Sequence, residues 1–219
     1  MKKYLAILKK CPLFAGVSDE NIIPMLGCLD GKVQSYDRRE TVLPEGSEAR
    51  LVGIVLSGKV QIERCDIDGN RSIVGTAEAS EMFGETFACA GVKKLTVNVV
   101  AVEKSEIFFA DCRRIICSCN NACEFHNTMI YNLLKTVAEK NIRFNKKLEI
   151  LSKRSTGEKL MAYLKMVAKE KESKNFEIPF DRQELADYLA VDRSGLSSEI
   201  GKLKREGVLL CSKNKFTLL

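Results

Sequence analysis

The chain predicts an α+β protein: an N-terminal antiparallel β-roll of jelly-roll type, one long helix, and a C-terminal helical hairpin closed by two short strands. Three observations carry this. Between Val33 and Phe109, short apolar or alternating runs recur between turn residues. From Ile130 to Leu151, residues Ile130, Leu134, Val137, Asn141, Phe144, Leu148 and Leu151 follow at spacings of 4, 3, 4, 3, 4, 3. From Asp181 onward, two short amphipathic segments flank a tight turn.

Composition sets the frame. At 219 residues, 45% hydrophobic and 29% charged, the chain can build ordinary cores and is far from the profile of a disordered protein. Its apolar runs, such as Val97 to Val102 and Ile107 to Ala110, fall short of the roughly 18 to 20 residues a membrane span needs. Met1 to Lys10 lacks the long apolar centre of a signal peptide, so the expected location is the cytoplasm, with no membrane partner. The net charge is +6, and residues 152–219 hold 14 Lys/Arg against 10 Asp/Glu, which makes the last third the more basic part. A mild basic excess is compatible with nucleic acid but decides nothing alone. Nine cysteines, an odd number without an export signal, argue for reduced thiols, metal ligands or plain packing over a disulfide framework.

The opening stretch reads as short helices broken by Pro12 and Gly16, with Ser18 as the cap of the next one. Strands are expected at Thr41 to Leu43, Leu51 to Leu56, Lys59 to Arg64, Ile73 to Thr76, Thr96 to Val102 and Ile107 to Phe109. Turns fall at Pro44-Glu45-Gly46, Ser57-Gly58, Asp68-Gly69-Asn70 and Gly91. No long helix fits between consecutive strands, which excludes a doubly wound parallel sheet. The heptad-like seam past Asn121 suits a helix that pairs with a copy of itself, Asn141 fixing the register; packing on its own domain is the alternative. Residues 1–120 are thus a roll with a helical lead-in, 121–151 a dimerisation helix, and 152–219 a separate domain. In that domain Leu160, Met161, Leu164 and Val167 mark one helix face, and Lys169 to Asn175 a charged loop.

Asp181 to Gly207 reads as helix, turn, helix. Leu185, Ala186 and Leu189 form the inner face of the first helix, Ala190 and Val191 the turn, and Asp192 caps a second helix that buries Leu196, Ile200 and Leu203. A helix of this kind fits the major groove and reads base edges with its first residues, here Arg193, Ser194, Ser197 and Ser198, while Lys202, Lys204 and Arg205 reach phosphates. Val208 to Cys211 and Lys215 to Leu218 complete a wing. Gly195 costs that helix about 1 kcal/mol relative to alanine, a sign of either close approach to DNA or drift.

Together these pieces resemble the cyclic-AMP receptor protein and fumarate-nitrate regulator family of bacterial transcription factors. The resemblance rests on Cys11-Pro-Leu-Phe-Ala-Gly-Val-Ser18, on Glu45-Gly46 through Leu56-Ser-Gly-Lys-Val60, on Phe83-Gly84-Glu85, and on Asp181-Arg-Gln-Glu-Leu-Ala186 with Val191-Asp-Arg-Ser194. It implies a homodimer whose cyclic-nucleotide-binding-like roll sets two winged helices on a palindromic site in double-stranded DNA, with RNA polymerase as a further partner. It places Arg182 and Gln183 near phosphates and an effector around Gly84, Glu85, Thr86, Leu95, Thr96, Arg143 and Phe144. Two departures stand out. Where cyclic-nucleotide binders of the family carry an arginine that neutralises the cyclic phosphate, this chain has Leu95, and desolvating a phosphate without a strong partner costs several kcal/mol. Cyclic AMP is therefore not the expected effector, and an organic ligand, aromatic or acidic, is expected instead; its identity stays open. Ser198 stands where many members place a guanine-binding arginine.

Two alternatives remain from the sequence. Cys112, Cys117, Cys119 and Cys123 with His126 form a group that suits a metal, an iron-sulfur cluster or redox sensing, although its spacing is no CxxC knuckle. A dimeric sensor or scaffold that does not read DNA is the other. No phosphate loop, serine elbow or HExxH is present, so no enzyme is expected.

Overall fold

The computed structural model describes residues 2–117 and 124–219. The chain divides into two compact units, residues 1–69 with 74–141, and residues 70–73 with 142–219. No helix among the described residues is long and apolar enough to cross a membrane.

The first unit opens with α1 (Leu5–Leu8) and α2 (Asp19–Cys28), the latter entered at Ser18 as expected. The Ser18 hydroxyl makes no cap bond and accepts from the Asn21 side-chain amide at 2.7 Å instead. The strands follow: β1 (Lys32–Tyr36), β2 (Thr41–Leu43), β3 (Leu51–Ser57), β4 (Lys59–Cys65), β5 (Arg71–Glu78) and β6 (Met82–Phe83). A short helix, α3 (Glu85–Cys89), precedes β7 (Asn98–Ala101) and β8 (Ser105–Asp111), and α4 (Cys112–Ile116) leads toward the long α5 (Glu124–Leu151). Two antiparallel sheets result, in the orders β1-β8-β3-β6 and β2-β7-β4-β5.

The two-residue period of a strand divides the core. On β3, Val52, Ile54 and Leu56 face a cluster with Leu8, Phe14, Ile22 and Leu26 of the lead-in, while Val55 faces the roll interior. On β8, Phe108 and Ala110 join the first cluster, and Ile107 and Phe109 the second. Both faces are covered, so these strands read as continuous apolar runs. The lead-in cluster also takes Met129 and Leu133 from α5, and the buried Asn132 amide donates to the carbonyls of Leu13 at 3.0 Å and Ala15 at 2.8 Å. Strand β7 starts at Asn98, because Leu95 and Thr96 belong to the loop before it.

In the second unit, α6 (Thr156–Glu170) starts in a capping box of Ser155 and Glu158, so the expected charged loop shrinks to the residues between Glu170 and β9 (Asn175–Glu177). Helices α7 (Arg182–Leu189) and α8 (Arg193–Arg205) follow, then β10 (Leu209–Ser212) and β11 (Lys215–Leu218). The sheet order β10-β11-β9 makes the expected wing a three-stranded sheet. Leu160, Leu164, Leu185, Ala186, Leu189, Leu196, Ile200, Leu203 and Phe216 form this unit's core.

Lys147 is buried in the second unit, where its ammonium donates to the Ile73 carbonyl and lies 4.1 Å from the centre of the Tyr188 ring. Burial pushes it from 10.5 down to about 8. The unfolded chain therefore holds this proton more tightly than the folded one, and between about pH 8 and 10.5 the group favours folding increasingly as pH rises. The stability of the native chain relative to Lys147→Met should climb across that window in denaturant titrations; a flat difference would contradict the burial.

Candidate functional site

The reading head is built by its caps. Asp181 accepts from the Glu184 amide at 2.8 Å while Glu184 accepts from the Asp181 amide at 2.8 Å, a reciprocal cap that fixes where α7 begins. Ala190 takes a left-handed conformation with φ +50°, which turns the chain within two residues. The Asp192 carboxylate then accepts from the Gly195 amide at 2.9 Å, as its place before α8 predicts. Leu196, Ile200 and Leu203 are buried, which leaves Arg193, Ser194, Ser197, Ser198 and Lys202 exposed on the outward faces of α8. Two of these serines also serve the helix. Ser194 donates to the Asp192 carboxylate at 2.5 Å and Ser197 to the Arg193 carbonyl at 2.9 Å, so each hydroxyl offers an outside partner its lone pairs. Lys202 lies 3.5 Å from Glu199, and both partners are open enough to water to exchange that contact for a phosphate.

An open cleft of about 670 Å³ lies where α7, α8 and the wing meet, and its lining includes Arg182, Gln183, Arg193, Lys213 and Asn214. It joins the expected phosphate-contacting pair to the first residue of the reading helix. Arg182 donates to the Lys213 carbonyl at 3.4 Å and stands 5.9 Å from the Phe216 ring, which ties it to the wing; Gln183 donates to Asp187 at 2.7 Å. Lys213 and Asn214, in the turn between β10 and β11, bring the wing tip into the same cleft.

The expected effector residues fall into three groups. Gly84, Glu85 and Thr86 stand together at the start of α3. Gly84 has φ +81°, and a side chain there would meet the Leu51 carbonyl at 2.7 Å, so only glycine fits. Glu85 is 1% exposed; one carboxylate oxygen meets Lys140 of α5 at 2.8 Å, and the other, Oε2, has no hydrogen-bond partner among the described residues. Lys140 also donates to the Met82 carbonyl at 2.5 Å. Leu95 is buried in the roll interior with Val42, Phe83 and Phe109, whereas Thr96 is exposed and accepts from the Arg64 guanidinium at 3.2 Å. Arg143 and Phe144 are exposed and belong to the second unit.

Sequence reasoning missed Lys140 and Arg64. Lys140 continues the spacing of Met129, Leu133 and Thr136, the face of α5 that is turned to its own roll, and that spacing is the signal that would have found it. Of the proposed cysteine group, Cys112 and His126 are buried and Cys117 is exposed; Cys119 and Cys123 lie outside the described residues. Among the described residues no three His, Cys, Asp or Glu side chains gather as a metal-holding group.

A roll with a buried Glu85 at the start of its short helix, followed by a long helix and a winged helix-turn-helix, defines a DNA-binding regulator with a sensor domain. Residues 33–115 match the cyclic nucleotide-binding domain family and residues 158–219 the Crp-like helix-turn-helix domain family. The chain belongs to the Crp/Fnr family of transcription regulators, which are not enzymes. It is 23% identical over 191 residues to the transcriptional activator protein FnrL of Cereibacter sphaeroides, covering 80% of this chain and 71% of that one. It superposes with a TM-score of 0.75 at 18% identity on CLP, the c-di-GMP responsive global regulator of Xanthomonas campestris, covering 92% of this chain and 99% of that one. With FixK2 of Bradyrhizobium japonicum the TM-score is 0.66 at 17% identity, covering 86% and 92%. These two likenesses are of fold.

Gly195 is exposed, and a side-chain carbon there would come no nearer than 3.8 Å to the Asp192 carboxylate. Gly195→Ala should raise stability by roughly 0.5 to 1 kcal/mol in thermal unfolding. A loss of stability would mean that the start of α8 is packed otherwise than described.

Proposed function

We propose that the protein acts as a homodimer that reads a palindromic operator in double-stranded DNA and answers to an effector other than cyclic AMP at its roll. One observation carries the DNA reading: the polar start of α8 is exposed while Arg182, Gln183 and Arg193 line one cleft beside the wing. Arg193, Ser194, Ser197 and Ser198 are the residues that meet base edges, and Arg182, Gln183 and Lys202 those that meet phosphates. Arg193 supplies the bidentate donor that the serines lack, so it carries most of the discrimination. RNA polymerase is the further partner of such a regulator at a promoter.

Dimerisation is supported by α5. Leu134, Phe144 and Leu148 of the expected seam are 66%, 51% and 49% exposed and Ile130 and Leu151 half-buried, apolar side chains that the chain itself leaves largely uncovered, while Val137 turns to the lead-in cluster. The opposite face, with Met129 and Leu133, packs on the roll. Homologues in the family are typically dimeric.

The effector reading rests on Leu95. It fills part of the roll interior where cyclic-nucleotide binders of the family hold a phosphate with arginine, and an apolar contact there cannot repay the desolvation of a phosphate. Thr96 already accepts from Arg64, and Glu85 already holds Lys140. A ligand that donates a hydrogen bond to Glu85 Oε2 and otherwise offers apolar surface suits these residues better than a cyclic nucleotide.

Fluorescence anisotropy with a DNA site selected from random sequence tests both parts. Affinity should fall steeply with salt as counterions are released, and Arg193→Ala should cost about 1 to 3 kcal/mol on the selected site with little change on unrelated DNA. Equal losses on both would overturn the assignment of the reading helix. Cyclic AMP should leave the isotherm unmoved; a tightening of about tenfold, or 1.4 kcal/mol, would overturn the effector reading.

A further inference from the structure

We infer that Cys89 and Cys112 form a reversible intramolecular disulfide, which makes the sensor unit a target of peroxide oxidation. Their sulfurs lie 3.6 Å apart, in contact across the last residue of α3 and the first residue of α4. Among the described residues no other two cysteine sulfurs meet. This pair is distinct from the Cys112–Cys123 group that the sequence suggests, because Cys89 is 23 residues from Cys112 and only the fold brings the two together. Closing the gap to about 2.05 Å takes a short movement of two side chains at helix ends, where the backbone gives most readily.

The two thiols are unequal, and that sets the order of events. Cys89 is exposed, whereas Cys112 is 2% exposed; burial raises both thiols, Cys112 up to about 12, so access to the oxidant is what separates them. The oxidant therefore meets Cys89 first. Hydrogen peroxide converts the Cys89 thiol to a sulfenic acid: the S–O bond forms, the O–O bond breaks, and water leaves. The Cys112 sulfur, already in contact, then attacks the Cys89 sulfur; the S–S bond forms, the S–O bond breaks, and the hydroxyl leaves with the Cys112 proton as a second water. Two thiols have lost two protons and two electrons, and the peroxide has accepted them. Because a thiol of such high pKa is a poor nucleophile in bulk solution, the step depends on the contact already made, and a small thiol reductant restores the pair.

The position gives the bond its consequence. At its first residue α3 carries Glu85, held to α5 by Lys140, and at its last it carries Cys89. A disulfide would fix the other end of α3 to α4, so that this one-turn helix is held at both ends.

The experiment treats the reduced full-length chain with hydrogen peroxide, alkylates the remaining thiols, digests with trypsin and weighs the peptides. Cleavage after Arg71, Lys93, Lys104 and Arg113 leaves Cys89 alone in peptide 72–93 and Cys112 alone in peptide 105–113. The expected product is a 72–93/105–113 cross-link about 2 Da lighter than the two reduced peptides together, which reverts with dithiothreitol. It should vanish in Cys89→Ser, an exposed change that leaves the core intact. Cys112→Ala should leave Cys89 oxidised beyond the sulfenic acid, since its resolving partner is gone. Separately alkylated 72–93 and 105–113 from folded protein, while other cysteines oxidise, would overturn the proposal.

Discussion

A buried carboxylate must be answered by a positive charge or by hydrogen bonds, and in the sensor unit that demand falls on Glu85. Its carboxylate is 2% exposed at the side chain, and Lys140 supplies the one counter-charge in contact with it. The local backbone is shaped around this pair. Gly84 must be glycine to turn the chain away from Leu51, which sets Glu85 at the start of α3, and Lys140 must lie on the same face of α5 as Met129 and Leu133 to reach it. Removing Lys140 would leave an uncompensated buried carboxylate, a loss of about 3 to 5 kcal/mol for buried pairs, whereas Lys140, one third exposed, can turn to water when Glu85 is removed. The geometry thus couples the start of α3 to the long helix through one ion pair, with one carboxylate oxygen still to be satisfied.

The same helix explains why one element can serve two ends. Its roll-facing residues are buried, and its other face carries Leu134 and, further along, Phe144 and Leu148 largely uncovered. Packing on one side and apolar side chains on the other are what the proposed dimer requires of this helix. The strands set the background: β3 and β8 are buried on both faces, so the sheet between lead-in and roll interior has little freedom to absorb a displacement at α3.

What the sequence made legible was local. Asp181, Glu184 and Asp192 announce helix starts through hydrogen bonds within three residues, and the buried positions of α7 and α8 follow from the 3.6-residue period. The roll was visible through its turns, and Leu95 through its contrast with the family pattern. Strands β1, β6 and β9 escaped: β1 is mostly polar and exposed, β6 has only two residues, β9 lies at the end of a charged stretch, and each pairs with a strand distant in the chain. Three side-chain pairs of the first unit escaped for a related reason. Glu85 with Lys140, Arg64 with Thr96, and Cys89 with Cys112 are joined across 23 to 55 residues by the fold alone. The sequence singles out Glu85, Thr96 and Cys112 but shows Lys140, Arg64 and Cys89 as an ordinary lysine, arginine and cysteine, and only the fold brings each to its partner.

The most direct measurement is a double-mutant cycle on Glu85→Gln and Lys140→Met, read by denaturant unfolding of the full chain. If the pair is the link on which the sensor unit depends, the two losses should fail to add by roughly 1 to 3 kcal/mol, because the second change removes a partner the first has already silenced. Losses that add to within about 0.5 kcal/mol would contradict the coupling and leave Glu85 and Lys140 as independent residues.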